Sequence, residues 1–358
     1  LGRCTRVHKV LEGISLAKRK DVAKLAGVSE ATISRVFNNV GPIREETKQK
    51  VLKAAKTLNY QPNALAQSFA TGKSGNIGVI IPYLPKVHLL STHYFSGILS
   101  GIGIQLGKCQ YNLLVMFQSP HEPKDYVQLF RSQKIDGCII LGAKNDEQEI
   151  KEIERLHELK LPYCLVNQTY EGYPFHSVDA KHTEGSFQAV SLLLEKGFKR
   201  IAFINGPLEY SNSMERLKGY RDAYLNVGIE PPSELVFQGN YSRTSGIQLS
   251  TEIAPLMSNI DAIFSGNDRM AIGLMQGLSK HGYHVGEDYA LIGYDNSDVA
   301  SMVQPQLTSV QVPLLEMGEM AAEKVLNELN GKSVVLQERL PVTLIERASI
   351  QVKKEMRK

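Results

Sequence analysis

Apolar residues follow two different rhythms along this chain. Through roughly the first sixty positions they recur every three to four residues, the spacing of a helix with one buried face. "KDVAKLA" sets Val22, Ala23, Leu25 and Ala26 at helical spacing, and "GVS" interrupts it, with Gly27 at the turn and Ser29 a good N-cap. "EATISRVFN" places Ile33, Val36 and Phe37 on one face. After a Gly-Pro turn, "REETKQKVLKAAKTLNY" puts Val51, Leu52, Ala55 and Leu58 on a third inner face. The pattern predicts three short helices.

From Gly78 the rhythm changes to continuous apolar runs of strand length: "IGVIIP", "YNLLVMF", "GCIILG", "YCLVN", "RIAFING", "DAIFSGND" and "ALIGYD". Amphipathic stretches such as "FSGILSGIGIQLGKC", "TEGSFQAVSLLLEKG", "ERLKGYRDAYLNVG" and "MAIGLMQGLSKHG" separate them. Strands apolar on both faces, alternating with helices, predict α/β folding with parallel sheets covered on both sides. The alternation occurs twice, with a break near 170–180, which predicts two similar lobes. "LTSVQV" and "LPVTLIE" are placed to cross back between them, near 305–313 and 338–346. Ligands of such sheets bind beyond the carboxyl ends of the strands.

Charge sharpens the division. Residues 1–75 carry 14 Lys/Arg against 5 Asp/Glu, and residues 76–358 carry 27 against 32. A basic head on a mildly acidic body points to a polyanion as the head's partner. Cys4, Cys109, Cys138 and Cys164 form no CxxC pair, three lie in apolar surroundings, and the pattern suits a reducing compartment without a metal site. His8, His88 and His93 have no metal-ligand spacing. No apolar run approaches the ~18–20 residues of a membrane span, and "LGRCTRVHKVLEG" lacks the apolar block of a signal peptide. The expected location is cytoplasmic, with no membrane partner. Residues 1–17 are expected to be a disordered extension or the product of a misplaced gene start.

"RKDVAKLAGVSEATISRVFN" fits a helix-turn-helix: Ala23 is small where the helices cross, Gly27 supplies the turn, and Ile33 and Val36 clamp the second helix to the first. The bland alternative is an ordinary helical hairpin with a solvated face. In the DNA-binding form the second helix enters the major groove N-terminus first. That makes Glu30, Ala31 and Arg35 candidate base readers: Arg35 bidentate to guanine, Glu30 accepting from cytosine N4, Ala31 against a thymine methyl. Ser29, Thr32, Ser34 and Asn38 suit phosphate contacts, which position without specifying.

"DVAKLAGVSEATISRVFNN", "TKQKVLKAAKTLNYQPN", "GNDRMAIGLM" and "LIGYDN", in this order and spacing, resemble the lactose-repressor (LacI/GalR) family of bacterial transcription regulators over roughly residues 18 to 350. The resemblance implies an all-α helix-turn-helix headpiece (18–61), a hinge helix and linker (62–75), and a two-lobed periplasmic-binding-protein-like core (76–352). It implies a homodimer on a pseudo-palindromic double-stranded operator, with a small effector, a sugar or sugar derivative, between the lobes. A phosphoprotein corepressor is known for some relatives. In the hinge, "QPNALAQSFATG", Asn63, Ala66 and Gln67 are implied minor-groove contacts, and Phe69 stands where relatives insert a leucine wedge. Lys18 and Arg19 depart from the usual Thr-aliphatic pair, losing an N-cap worth about 1 kcal/mol while adding phosphate attraction.

In the core, Asp268 of "GND" follows a strand and is expected either to accept from ligand hydroxyls or to cap the next helix. The resemblance makes Arg216 of "SMERLKGY" a ligand-binding arginine, against the alternative of a surface salt bridge. Tyr94, Phe95 and Tyr241 match aromatic positions that line the effector cleft, and Asn167 lies at another strand end. Two other functions compete. A solute-binding module with the same core is disfavoured by the helix-turn-helix. An enzyme is disfavoured because GxSxG, GxxxxGK[ST] and a strand-to-helix GxGxxG are all missing. No cofactor is expected. "QVKKEMRK" offers no leucine heptad for a tetramer.

Overall fold

A computed structural model describes residues 17–38, 40–61, 72–83, 90, 92–119 and 124–352. The chain divides into two compact units, 1–75 and 76–358. The hinge candidates Asn63, Ala66, Gln67 and Phe69 lie outside the described residues.

The first unit holds α1 (Arg19–Ala26), α2 (Glu30–Asn38) and α3 (Glu45–Thr57). Val22, Ile33 and Val51 are completely buried where the three meet, closed by Ala23, Val36, Ala54 and Ala55. Each fully buried aliphatic contributes about 1.5–3 kcal/mol. Leu25 and Leu52, expected on inner faces, are instead 53% and 39% exposed. The buried stripe of α3 runs through 51, 54, 55 and 58, and Leu52 is ~100° around the helix from Val51. Leu25 is turned off the Val22–Ala23–Ala26 stripe in the same way. Gly27 ends α1 in the left-handed region (φ 67°), and the Ser29 hydroxyl accepts from the Thr32 N–H (3.2 Å) at the start of α2. The missing N-cap at Lys18 is partly compensated: the Asp21 carboxylate accepts from the Lys18 backbone N–H at 2.8 Å.

The second unit begins with β1 (Asn76–Pro82), α4 (His93–Lys108), β2 (Asn112–Gln118), α5 (Tyr126–Arg131), β3 (Gly137–Leu141), α6 (Glu147–Glu158), β4 (Tyr163–Val166) and β5 (Ser177–Ala180). The chain then enters a second lobe through α7 (His182–Glu195), β6 (Ile201–Asn205), α8 (Ser211–Asn226), β7 (Val236–Gln238) and α9 (Arg243–Ile253). That lobe continues with β8 (Ala262–Ser265), α10 (Asp268–Lys280), β9 (Ala290–Asp295), α11 (Asp298–Met302) and β10 (Thr308–Gln311). It returns to the first lobe for α12 (Leu314–Leu329) and β11 (Gln337–Leu340), and ends in the second with β12 (Thr343–Ile345).

Among the described residues each lobe carries a six-stranded sheet. The first, in order β11-β5-β4-β3-β1-β2, is wholly parallel. The second, β12-β10-β9-β8-β6-β7, is parallel except for β12, which runs antiparallel to β10 with Ser309 opposite Ile345. One apolar core runs from Ile77, Val79 and Val178 in the first lobe to Phe203, Tyr294 and Val310 in the second, so the lobes share buried surface where the chain crosses. "GILSGIG" is a helix that makes close contact: a Cβ on Gly101 would stand 1.9 Å from the Leu315 carbonyl oxygen, and one on Gly318 would stand 2.1 Å from that of Ile98. The glycines let α4 and α12 pack backbone to backbone, and they cradle no phosphate.

Candidate DNA-reading face and interlobe cleft

With Ile33 and Val36 turned inward, helical geometry leaves the rest of α2 facing outward. Glu30, Ala31 and Arg35 are exposed along it, as is Ser29 just before it, while Thr32, Ser34 and Asn38 are half-buried. Five of these groups already have side-chain partners. Arg19 Nε donates to Glu30 Oε2 at 3.1 Å, and Asn38 Nδ2 donates to Ser34 Oγ at 3.2 Å. Ser29 and Thr32 share a hydroxyl contact of 3.0 Å. Arg35 is exposed on this face, and α1 and α3 of the same unit add further basic side chains.

In the second unit the candidates converge. Tyr94, Phe95, Asn167, Arg216, Tyr241 and Asp268 all line one cavity of about 580 Å³ between the lobes. They arrive from α4, the end of β4, α8, the loop before α9, and α10. The Tyr94 and Phe95 rings meet edge-on, 4.9 Å between centroids. A Cβ on Gly206 would lie 2.0 Å from the Tyr241 ring, so glycine makes room for that aromatic wall.

Arg216 is only 3% exposed, which removes the surface salt-bridge reading. Its neighbour Glu215 takes that part, accepting from Arg339 Nη2 at 2.6 Å. The Arg216 guanidinium stacks over Tyr294 (4.1 Å) and nears Tyr241 (5.7 Å), and its Nη1 donates to the Gly266 carbonyl (2.9 Å) and the Tyr241 hydroxyl (3.2 Å). Burial opposes its charge, but Tyr241, Tyr294 and Asp295 more than offset that and hold the guanidinium firmly protonated.

Asp268 does not cap α10. Asn267 does, its Oδ1 accepting from the Met270 N–H at 2.9 Å. The Asp268 carboxylate is 1% exposed, and both oxygens have internal partners: Oδ2 accepts from the Ser297 N–H (2.7 Å) and hydroxyl (2.9 Å), Oδ1 from the Ser309 hydroxyl (2.6 Å). Burial pushes its carboxyl up to about 6 against those three donors. It ties the loop after β9 to β10. Of the two strand-end aspartates in the cavity wall, Asp295 is the more accessible, half-buried and held at φ 98° just after Tyr294. Burial pushes it up to about 7, with Arg216 pulling the other way. Asp295 ends β9 of "LIGYDN" as Asp268 follows β8, so the strand-end rule applied to every strand marks both aspartates. His93, Glu209, Tyr210, Asn212, Asn240 and Arg269 add to the polar lining, and spacing in the sequence marks none of them.

Among the described residues no group of three His, Cys, Asp or Glu is placed to hold a metal, and no helix is long and apolar enough to cross a membrane.

A basic unit with three helices among its described residues and a polar outer face on the second, followed by two α/β lobes around an aromatic- and arginine-lined cleft, defines a class: a ligand-responsive DNA-binding regulator. Comparison with known proteins agrees. Residues 19–63 match the family model of bacterial regulatory proteins of the lacI family, and residues 190–350 match the periplasmic binding protein-like domain. Catabolite control protein A of Priestia megaterium is 30% identical over 317 residues, covering 88% of this chain and 93% of that protein. The lac repressor dimer bound to operator and the anti-inducer ONPF superposes with a TM-score of 0.81 at 27% identity, covering 94% of this chain and all of that one. The CelR–cellobiose complex superposes with a TM-score of 0.69 at 28% identity, covering 93% and 99%. The chain belongs to the LacI family of DNA-binding transcriptional regulators. The reading as a solute-binding module without a DNA role is thereby set aside.

Proposed function

We propose that this regulator is a cytoplasmic repressor that binds a pseudo-palindromic operator as a homodimer, and that a neutral saccharide in the interlobe cleft controls its operator affinity. The observation that carries the reading is the convergence of dispersed residues on one cavity with aromatic walls and a facing arginine and carboxylate, Arg216 and Asp295. Aromatic faces pack against the apolar face of a sugar ring, while Arg216, Asp295, Asn167 and Asn212 supply donors and acceptors for its hydroxyls. Glu209, Asp268 and Asp295 face the cavity against Arg216 and Arg269. With Glu209 paired to Lys144 at 3.3 Å and both aspartates raised by burial, the lining has no surplus of cations to hold a phosphate, which favours a neutral sugar over a sugar phosphate. Among solved relatives, CelR carries cellobiose and the lac repressor carries ONPF.

On the DNA side, Arg35 reads guanine, Glu30 and Ala31 set the adjacent preference, and Ser29, Thr32, Ser34 and Asn38 fix the helix on phosphates. Asn63, Ala66, Gln67 and Phe69 act in the minor groove. The test is a thermal-shift screen of the full chain against neutral sugars, sugar phosphates and nucleobases, followed by operator titration with each hit. A neutral sugar that both stabilises the protein and changes operator affinity supports the reading. Stabilisation by nucleobases or sugar phosphates alone contradicts it.

A further inference from the structure

His182, the first residue of α7, stands where the chain crosses between the lobes and is completely buried. Nothing in the DNA-reading or ligand-binding account uses it, yet its imidazole is bonded on both sides. Nε2 lies 2.7 Å from Asn167 Oδ1, in the first lobe, and 3.4 Å from Asp179 Oδ1. Nδ1 lies 3.1 Å from the Tyr294 hydroxyl and 3.5 Å from Arg216 Nη2, both in the second lobe. Asn167 in turn bonds the Tyr94 hydroxyl through its side chain and accepts from Asn212 Nδ2 (3.2 Å) at its carbonyl.

These partners determine the tautomer. Oxygen acceptors crowd Nε2, so it carries the proton; a guanidinium and a hydroxyl face Nδ1, so it offers a lone pair. Charging the ring would set a second cation against Arg216 and leave Tyr294 without its acceptor. Burial and the Arg216 charge accordingly lower the basicity of His182, with Asp179 pulling back and Arg339 adding to Arg216. The ring therefore passes one chain of hydrogen bonds from the cationic wall of the cleft to its opposite wall.

We propose that His182, as a neutral Nε2–H imidazole, is the positioning residue that latches the two lobes together and ties the orientation of Arg216 to that of Asn167. A ligand that engages either cleft wall then acts on both. The inference rests on the cleft being the effector site only for that last consequence. The latch itself is a property of the protein alone and is tested without ligand.

Two measurements on the full chain test it. In protein labelled with 15N-histidine, His182 should show a protonated Nε2 and an unprotonated Nδ1 that do not titrate between pH 5.5 and 8. A protonated Nδ1, or titration in that range, overturns the proposal. Hydrogen exchange then reads the interlobe bonds of the Asn145 N–H to the Glu209 carbonyl (2.8 Å) and the Thr169 N–H to Ser211 Oγ (2.9 Å). In His182→Phe these two amides should exchange at least tenfold faster, while sheet amides such as Ile139 and Phe264 stay unchanged. His182→Gln, which keeps a donor and an acceptor, should recover most of the protection. Uniform acceleration, or none, in His182→Phe contradicts a latch, and the histidine spectrum of the wild type decides the matter if that variant fails to fold.

Discussion

The reading face of α2 and the interlobe cleft solve opposite problems with similar residue types. On α2 the candidate base readers stand in solvent, and a partner has little to displace: one ion pair, Arg19 with Glu30, and two side-chain bonds, Asn38 to Ser34 and Ser29 with Thr32. In the cleft many polar groups already have internal partners. Asp268 is held by Ser297 and Ser309, Arg216 by Gly266 and Tyr241, and Asn167 by His182. DNA adds bonds to a surface that is otherwise hydrated, whereas a cleft ligand must exchange bonds with the protein. Exchange makes the cleft selective, because a ligand lacking one hydroxyl leaves a buried group unpaired, at a penalty of about 1–3 kcal/mol. A ligand that took up Asn167 or Arg216 would compete with the contacts His182 makes to them across the lobes.

The largest effect is expected where an internal bond set is broken outright. Asp268→Ala leaves the Ser297 and Ser309 donors buried without their acceptor and should destabilise the protein by about 3 kcal/mol, read as a fall in denaturant midpoint. A change below about 1 kcal/mol would return Asp268 to the ranks of direct ligands. Next is Arg35→Ala. It should lower affinity for an operator selected from a randomised duplex library by about 30-fold, the equivalent of about 2 kcal/mol for a bidentate base contact. Non-specific DNA affinity should change much less, and an equal loss on both would make Arg35 a phosphate contact.

Asp295 gives a smaller effect that depends on pH. Its folded value, about 7, exceeds the ordinary 3.8, so the native state holds the proton more tightly than the unfolded chain. The stability this contributes is complete below about pH 3.8 and is lost as pH rises through 7. Asp295→Asn should therefore match the wild type near pH 4 and become progressively the more stable of the two by pH 8. Saccharide affinity of the wild type should rise with pH up to about 7, since hydroxyl donors favour the carboxylate. Melting curves across that range test both signs. Smallest of all, Arg19→Ala should alter stability by less than about 1 kcal/mol, because the Arg19–Glu30 pair is half-exposed.

The same contrast explains what was legible in the sequence. The helix-turn-helix is contiguous, and its turn, cap and inner face lie within about twenty residues, so Gly27, Ser29, Ile33 and Val36 could be placed from spacing alone. Leu25 and Leu52 were misplaced because helical periodicity marks an apolar stripe without giving its width, and a unit this small buries only a narrow one. The cleft is assembled from segments between Pro82 and Ser297. Strand-end position and family resemblance located six of its side chains, but spacing carries no sign of which carboxylate turns inward. Asp268 and Asp295 both follow parallel strands. Only the serines at 297 and 309, distant in sequence from Asp268, engage it and leave Asp295 at the cavity wall. His182 was invisible for the same reason, since its partners are at 167, 179, 216 and 294.

The central claim, that the cleft governs the reading face, is tested most directly by anisotropy of a selected operator duplex titrated with whichever neutral sugar raises the melting temperature. The account predicts that this sugar shifts operator affinity of the wild type by tenfold or more. It further predicts that Arg216→Met abolishes both the thermal shift and the change in affinity while still binding operator without sugar. A sugar that stabilises the wild type yet leaves its operator affinity unchanged would contradict the account.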